Sequence, residues 1–309
     1  MGDQKKRLVQ RELPGFSAKK EPSHPIPHVD SLLTSHFDIF KGIGPKTDMK
    51  LRALGYHSWD HIFTRPWSGS HTPAIFRELV PKIKRSLSVL RSNDYARLGK
   101  LIDRRQHWRI IPHILDKIGY LDIETTGLDR RANIVTTIAV YYQNRLYNFV
   151  NGDNLAEFPA FIEKLPVLGT YYGSGFDIPF LRHYFGIEFP QLHLDLCPLF
   201  RRIGLTGGLK QVELTVGLVR PDVEDIDGEC AVYLWNRYQH TRDRAYLATL
   251  LAYNNWDVLN LAYLLPLVYN RLVQQYQFET PLLPLPIIEN PGSYHPDPAV
   301  LRELAHRTR

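Results

Sequence analysis

The sequence predicts an α/β domain with a mixed sheet flanked by helices, preceded by a small α-helical region. Three observations carry this. The chain has 309 residues and is 44% apolar, enough for one large core and a smaller unit. From about residue 117, short runs rich in β-branched and aromatic residues alternate with helical patterns. Before that point the periodicity is helical and the surface basic.

Residues 1–35 are rich in Lys, Pro and His without a period (Pro14, Pro22, Pro25, Pro27), which predicts a flexible arm. The helical region spans 36–113. Phe37 to Phe40 form a short apolar segment, Gly42-Ile-Gly-Pro-Lys-Thr47 follows, and Met49, Leu51 and Leu54 fall on one helical pattern closed by Gly55. Across 73–104, Leu79, Ile83, Leu87 and Leu90 keep helical spacing, with Arg77, Lys82, Lys84, Arg85 and Arg91 outside. The α/β domain is expected over 114–278. Its strands are predicted at Ile118 to Ile123, Asn133 to Tyr142, Arg145 to Val150, Val167 to Tyr172 and His193 to Leu196. Helices are predicted over Leu155 to Leu165, over Phe176 to Tyr184 and from 208 onward, the longest between Arg242 and Gln275. The tail, 279–309, is punctuated by Pro281, Pro284, Pro286, Pro291, Pro296 and Pro298 and is expected to be extended.

The net charge of +6 is uneven: residues 1–113 carry 21 Lys and Arg against 10 Asp and Glu, and residues 114–309 carry 17 against 22. A basic front half fits a polyanionic partner, although a mild basic excess is also ordinary surface composition. An acidic back half fits a metal site. Cys197 and Cys230 make no disulfide framework and no Cys-x-x-Cys pair, and the 13 histidines lack metal-ligand spacing. The polar start, Met1 to Arg7, lacks the apolar stretch of a signal peptide, and no run reaches membrane-spanning length. A cytoplasmic protein with no membrane partner is the expectation.

Chemistry concentrates in three places. Asp122 and Glu124 stand in Tyr120-Leu-Asp-Ile-Glu-Thr-Thr-Gly-Leu128, Asp177 in Gly173-Ser-Gly-Phe-Asp-Ile-Pro-Phe180, and Tyr253 and Asp257 in Tyr253-Asn-Asn-Trp-Asp257. On a strand, period two puts Asp122 and Glu124 on one face and turns Ile123 to the core. Adjacent carboxylates repel and hold a proton unless a cation intervenes, and hard divalent cations take oxygen ligands. Gly127 permits a tight turn and close approach of a substrate. On a helix, Tyr253 and Asp257 share a face, and a phenol beside such a site can orient an attacking water. Taken singly, Asp-x-Glu also suits an exposed strand edge, Asp177 an N-cap, and Tyr-x3-Asp an unrelated surface pair. Their joint occurrence, in order and inside the right elements, points to two-metal phosphodiester hydrolysis.

With these motifs, residues 114–270 resemble the ribonuclease H-like 3′–5′ exonucleases of the DEDD class. Tyr253-x3-Asp257 resembles the tyrosine subclass, DEDDy, and the YprB-type family in particular. His107-Trp-Arg109 before the first strand and Gly207-Gly-Leu-Lys210 with Glu213 after Asp195 are similar to that family as well. The resemblance implies two divalent cations, Mg2+ or Mn2+. One would be held by Asp122, Glu124 and Asp257, the other by Asp122 with help from Asp177, while Tyr253 and a metal position water for in-line attack. It implies cleavage from a 3′ end of nucleic acid, DNA or RNA; a single strand is expected because it suits a narrow acidic cleft and aromatic stacking, with Thr126, Gly127, Phe176 and Lys210 as expected contacts. One position departs: where the family carries Asn-Gly five and four residues before its Asp, this chain has Tyr172-Gly173. The lost amide removes a substrate contact, and Tyr172 is either a base-stacking or a core residue.

Gly42-Ile-Gly-Pro-Lys-Thr47 resembles the hairpin of a helix-hairpin-helix element. Gly42 and Gly44 let the backbone turn and present N–H groups at a helix start, and Lys46 adds charge, a geometry that receives phosphate without reading sequence. Asp48 stands where that motif usually has a small residue. A plain helical turn and a protein-contact hairpin stay open beside nucleic-acid binding. So do two competing readings of the whole chain: a catalytically idle nucleic-acid-binding module, and a processing or proofreading subunit that needs a protein partner.

Overall fold

The computed structural model describes residues 32–65, 67, 73–224 and 226–307. The arm expected over 1–35 lies, up to residue 31, outside the described residues; from Leu32 the chain is packed, with Leu32 and Leu33 buried. The helical region comprises α1 (Pro45–Ala53), α2 (His61–Thr64), α3 (Ala74–Arg91) and α4 (Tyr95–Leu101). A 3₁₀ segment, Arg104–His113, leads into β1 (Ile118–Thr125), β2 (Val135–Tyr142) and β3 (Arg145–Val150). Then follow α5 (Phe158–Ile162), β4 (Val167–Thr170), α6 (Asp177–Phe185) and β5 (Leu192–Asp195). The chain continues through α7 (Leu196–Arg202), α8 (Leu209–Val216), α9 (Gly228–Thr241), α10 (Arg244–Gln275) and α11 (Pro298–Arg307).

Among the described residues the strands form a five-stranded mixed sheet in the order β3-β2-β1-β4-β5. β1 pairs antiparallel with β2 and parallel with β4, so it is the central strand. Its alternate residues serve opposite faces. Leu121 and Ile123 join Ile138, Val140 and Phe149 in a core covered by α5 and α6. Tyr120 and Ala139 belong to a second core that includes α10 and the helical region. The β1–β2 register shifts between Glu124 and Thr125, an irregularity that ends regular pairing just beyond the acidic pair.

The longest helix, α10, has 32 residues and spans about 48 Å at 1.5 Å per residue. Asp243 caps it by accepting a hydrogen bond from the Ala245 N–H. Residues 249–270 are buried without a break, so the helix is enclosed rather than amphipathic, and its polar residues must find partners inside. None of the described helices is long and apolar enough to cross a membrane.

The helical region is fused to this core. Arg109 pairs with Asp38 at 2.7 Å, the Asp103 N–H bonds the Ile39 carbonyl at 2.7 Å, and Trp108 packs on Tyr269 of α10.

Four expectations need correction. The apolar stripe of α1 is wrong: Met49 and Leu54 are exposed, and beside Leu51 the buried position is Asp48. Asp48 accepts from the Phe37 N–H at 2.6 Å and bonds His36 Nδ1 at 3.0 Å, which accounts for an acidic residue where a small one was expected. The helix over 155–165 shrinks to a 3₁₀ turn, Leu155–Glu157, and the single turn of α5, because Pro159 lacks the N–H a continuous helix would use. The fourth strand stops at Thr170, since Tyr172 takes a positive φ of 63°. The tail is extended only until α11, which starts at Pro298, a residue suited to a first helical turn.

Candidate metal and nucleic-acid site

β1 and α10 build the centre of the site. Carboxylate oxygens of Asp122, Glu124 and Asp257 lie within 4.8 Å of one another. Strand alternation aims the first two at the α10 face, and Asp257 meets them from that helix. Asp177, the first residue of α6, is buried beside this set but outside it; its charge acts on both Asp122 and Glu124. It does not cap α6, whose N-cap is Phe176 with no side-chain bond. Tyr253, one turn before Asp257, is mostly buried.

The electrostatics follow from the crowding. Burial, then the charges of Asp257, Asp177 and Glu124, push Asp122 well above the usual carboxylate range, and Arg220 opposes them. Glu124 is driven up in the same way by burial, Asp257 and Asp177. Burial lifts Asp177 to about 7 and Asp257 to about 6, the latter held down by Arg220. Burial and the neighbouring Asp257 and Glu124 push the Tyr253 phenol well above its ordinary value, so it stays protonated. Three clustered oxygen donors that cannot all ionise by themselves suit a hard divalent cation.

Several supporting residues were not legible as such in the sequence. Asn254 Nδ2 donates to Asp122 Oδ2 at 2.7 Å, and Asn254 Oδ1 accepts from Thr137 Oγ1 at 3.1 Å. Asn148 donates to Asn255 at 2.6 Å, a second polar rung between the sheet and α10. The signal available was the Asn-Asn pair inside a mostly apolar helix. Asp195 accepts from the amides of Tyr172 (2.8 Å), Ser174 (3.0 Å) and Cys197 (3.1 Å), so it braces the bend that delivers Asp177. Arg220, between α8 and α9, ion-pairs with Asp257 at 2.6 Å and with Glu213 at 2.6 Å.

The expected nucleic-acid contacts fall in three places. Thr126, Gly127 and Phe176 lie by the β1–β2 connection and the start of α6. There Leu128, Asp129, Arg130, Arg131, Phe176 and Phe180 help line a pocket of about 310 Å3. Thr126 Oγ1 is engaged at 3.0 Å with Asn133 Oδ1 and accepts from the Ile134 N–H at 3.1 Å. Gly127 is constrained by its neighbour: a Cβ there would lie 2.6 Å from Asn133 Oδ1. Lys210, the second residue of α8, donates to the Ile226 carbonyl at 3.4 Å. Gly42 (φ 90°), Gly44 and Lys46 lie exposed at the start of α1, where Gly44 is an N-cap without a side-chain partner. A second acidic group, His36, Asp38 and Asp48, is tied up in the pairs with Arg109 and the Phe37 amide and acts as a clasp.

Residues 119–269 match the family model described as the RNase_H superfamily. The mixed five-stranded sheet flanked by helices is a ribonuclease H-like fold. No curated protein matches the sequence. Among solved structures, the family B DNA polymerase of the archaeon Pyrobaculum calidifontis is similar at 19% identity and a TM-score of 0.38, over 52% of this chain and 24% of the polymerase. NrnC of Brucella melitensis with bound Mg2+ is similar at 16% identity and a TM-score of 0.27, over 54% of this chain and 90% of NrnC. NrnC bound to pGG gives 16%, 0.28 and the same shares.

Two outcomes are expected. Tyr172 is exposed and holds a left-handed backbone that Asn adopts more readily, and its contacts to Asp195 run through the amide. Tyr172→Asn should therefore stabilise the protein by about 1 kcal/mol, seen as a melting temperature raised by roughly 2 °C. The second concerns pH. Carboxyls with raised folded pKa values bind more protons folded than unfolded, so their stabilising contribution is present below about pH 4 and lost as pH rises through about 6 to 7. In chelator, the melting temperature should fall between pH 5 and 7.5. Asp122→Asn should flatten that slope, and Mg2+ or Mn2+ should restore the loss at pH 7.5 in the parent.

Proposed function

We propose that the protein is a metal-dependent 3′–5′ exonuclease of the DEDDy type, acting on a single-stranded end of DNA or RNA. The observation that carries this reading is the convergence of Asp122, Glu124 and Asp257, remote in sequence, to mutual distances within 4.8 Å. Asp122, Glu124 and Asp257 are the holders of one divalent ion, and Asp177 with Asp122 the holders of a second. Such ions, Mg2+ or Mn2+, supply Lewis acidity and charge neutralisation for phosphodiester hydrolysis.

The chain's own residues account for the rest. Tyr253, kept protonated by its surroundings, donates its O–H to the attacking water and orients it. Asn254, the next residue of the same helix, fixes the orientation of Asp122. Water oxygen bonds to phosphorus, the bond from phosphorus to the 3′ oxygen of the preceding nucleotide breaks, and a proton passes to that oxygen. The pocket between the β1–β2 connection and the start of α6 suits an unpaired nucleotide: Phe176 offers a stacking face, and Arg130 and Arg131 outnumber Asp129 in charge. The polarity and the tyrosine subclass follow from the motif resemblance. The hairpin at Gly42 to Thr47, with Lys41, Lys46 and Lys50 exposed, is a second phosphate contact that would hold the strand away from the cleft.

A digestion panel tests this: single- and double-stranded DNA and RNA, each with either end blocked, with and without chelator. Mononucleotides should appear only with divalent metal and only from a free 3′ end. Asp122→Ala should abolish cleavage, and Tyr253→Phe should slow it about 100-fold while leaving the melting temperature nearly unchanged. Undiminished cleavage by the Asp122 variant would reject the site.

A further inference from the structure

Arg220 is 3% exposed, and its charge sits inside the carboxylate cleft. Its guanidinium is fixed from one side by Glu213, with Nε to Oε2 at 2.6 Å and Nη2 to Oε1 at 2.9 Å. Glu213, 2% exposed on α8, is itself held by Asn260 Nδ2 at 3.0 Å, a donor from α10. From that anchored position Nη2 also reaches Asp257 Oδ1 at 2.6 Å. The guanidinium carbon lies 5.4 Å from the Tyr253 ring centre. One side chain therefore touches both α10 residues of the candidate centre. The pairing coexists with the convergence of Asp257 on Asp122 and Glu124. Nη1 remains buried without a hydrogen-bond partner.

We propose that Arg220 is a positioning residue, a resident cation that grips one oxygen of Asp257 and turns the other toward the metal. This rests on the metal-site reading above. The bidentate clamp from Glu213 and the Asn260 tether make Arg220 a rigid mount rather than a mobile competitor for the carboxylate. Outer partners of ligating carboxylates typically influence metal affinity or activity 10- to 100-fold.

The test uses the full chain and Mn2+ alone as the probe, titrated by calorimetry and by the loss of free-ion electron paramagnetic resonance signal. Removing Arg220 by itself would strand Glu213 in the core, so the informative variant is Glu213→Gln with Arg220→Met. It removes both buried charges, and the glutamine amide keeps an acceptor for Asn260. That double variant should melt close to the parent yet bind Mn2+ about 10- to 100-fold more weakly. Its cleavage of a labelled single-stranded oligonucleotide should recover mostly at high Mn2+, a change in metal requirement rather than in maximal rate. Arg220→Lys keeps the charge but not the fork and should weaken Mn2+ binding by about threefold or more. It decides the matter if the double variant does not fold. Parental or tighter Mn2+ affinity in a folded variant would overturn the proposal. A parent that binds Mn2+ but cleaves nothing would reject the nuclease reading while leaving the Arg220 effect measurable, and a parent that binds no Mn2+ would overturn both.

Discussion

Like charges gathered where water is scarce are the constraint on which the rest of the structure depends. Asp122, Glu124 and Asp257 converge in the cleft, with Asp177 pressing on them from α6. A protein interior resists such a group strongly, and proton uptake is its default remedy. The fold keeps the cluster together by placing its members on its stiffest parts. Two sit on the central strand of the sheet and one on a helix whose residues 249–270 are all buried. Neither element can move aside without disrupting a core, so the repulsion is expressed as carboxyls pushed above their usual range rather than as loosened structure.

The polar residues inside α10 become intelligible in that light. A helix enclosed on every side would ordinarily be uniformly apolar, yet this one buries Asn254, Asn255 and Asn260 completely. Each reaches a different neighbour: Asn254 joins Asp122 to Thr137 of β2, Asn255 meets Asn148 of β3, and Asn260 holds Glu213 of α8. These bonds set the rotation of the helix about its axis, which apolar packing alone leaves loosely defined. Rotation decides whether Asp257 faces the cleft. The Asp195 brace does for Asp177 what the asparagines do for Asp257: it clamps the bend from Tyr172 to Ser174 through backbone amides.

How far the sequence could be read depended on whether a residue's role was local. Period two on β1 placed Asp122 and Glu124 together, and the four-residue spacing on α10 placed Tyr253 with Asp257, because both are properties of a single element. Arg220 escaped notice because its partners, Glu213 and Asp257, come from different helices and its own segment has no periodic pattern. The misread face of α1 has a similar origin. Met49 and Leu54 look like a core stripe, whereas Asp48 is buried because His36 and the Phe37 amide, from the preceding turn, satisfy it. In the tail, prolines read as helix breakers concealed α11, since Pro298 occupies the first helical position, where a missing N–H costs no bond.

The helical region and the cleft share more than adjacency. Trp108 is fully buried against Tyr269, about three turns along α10 from Asp257, and Arg109 lies over Phe278 at 4.8 Å while pairing with Asp38. One hydrophobic cluster runs without interruption from Leu32 and Phe37 through Trp108 to the buried length of α10. The segment Gly42 to Thr47 at the start of α1 is thus mortised, through this cluster, to the helix that presents Tyr253 and Asp257. A polyanion touching both places would meet two surfaces held in fixed register, because a close-packed core transmits position with little give. That fixed register is what the proposed reading, in which the exposed lysines around α1 and the acidic cleft serve one strand, relies on.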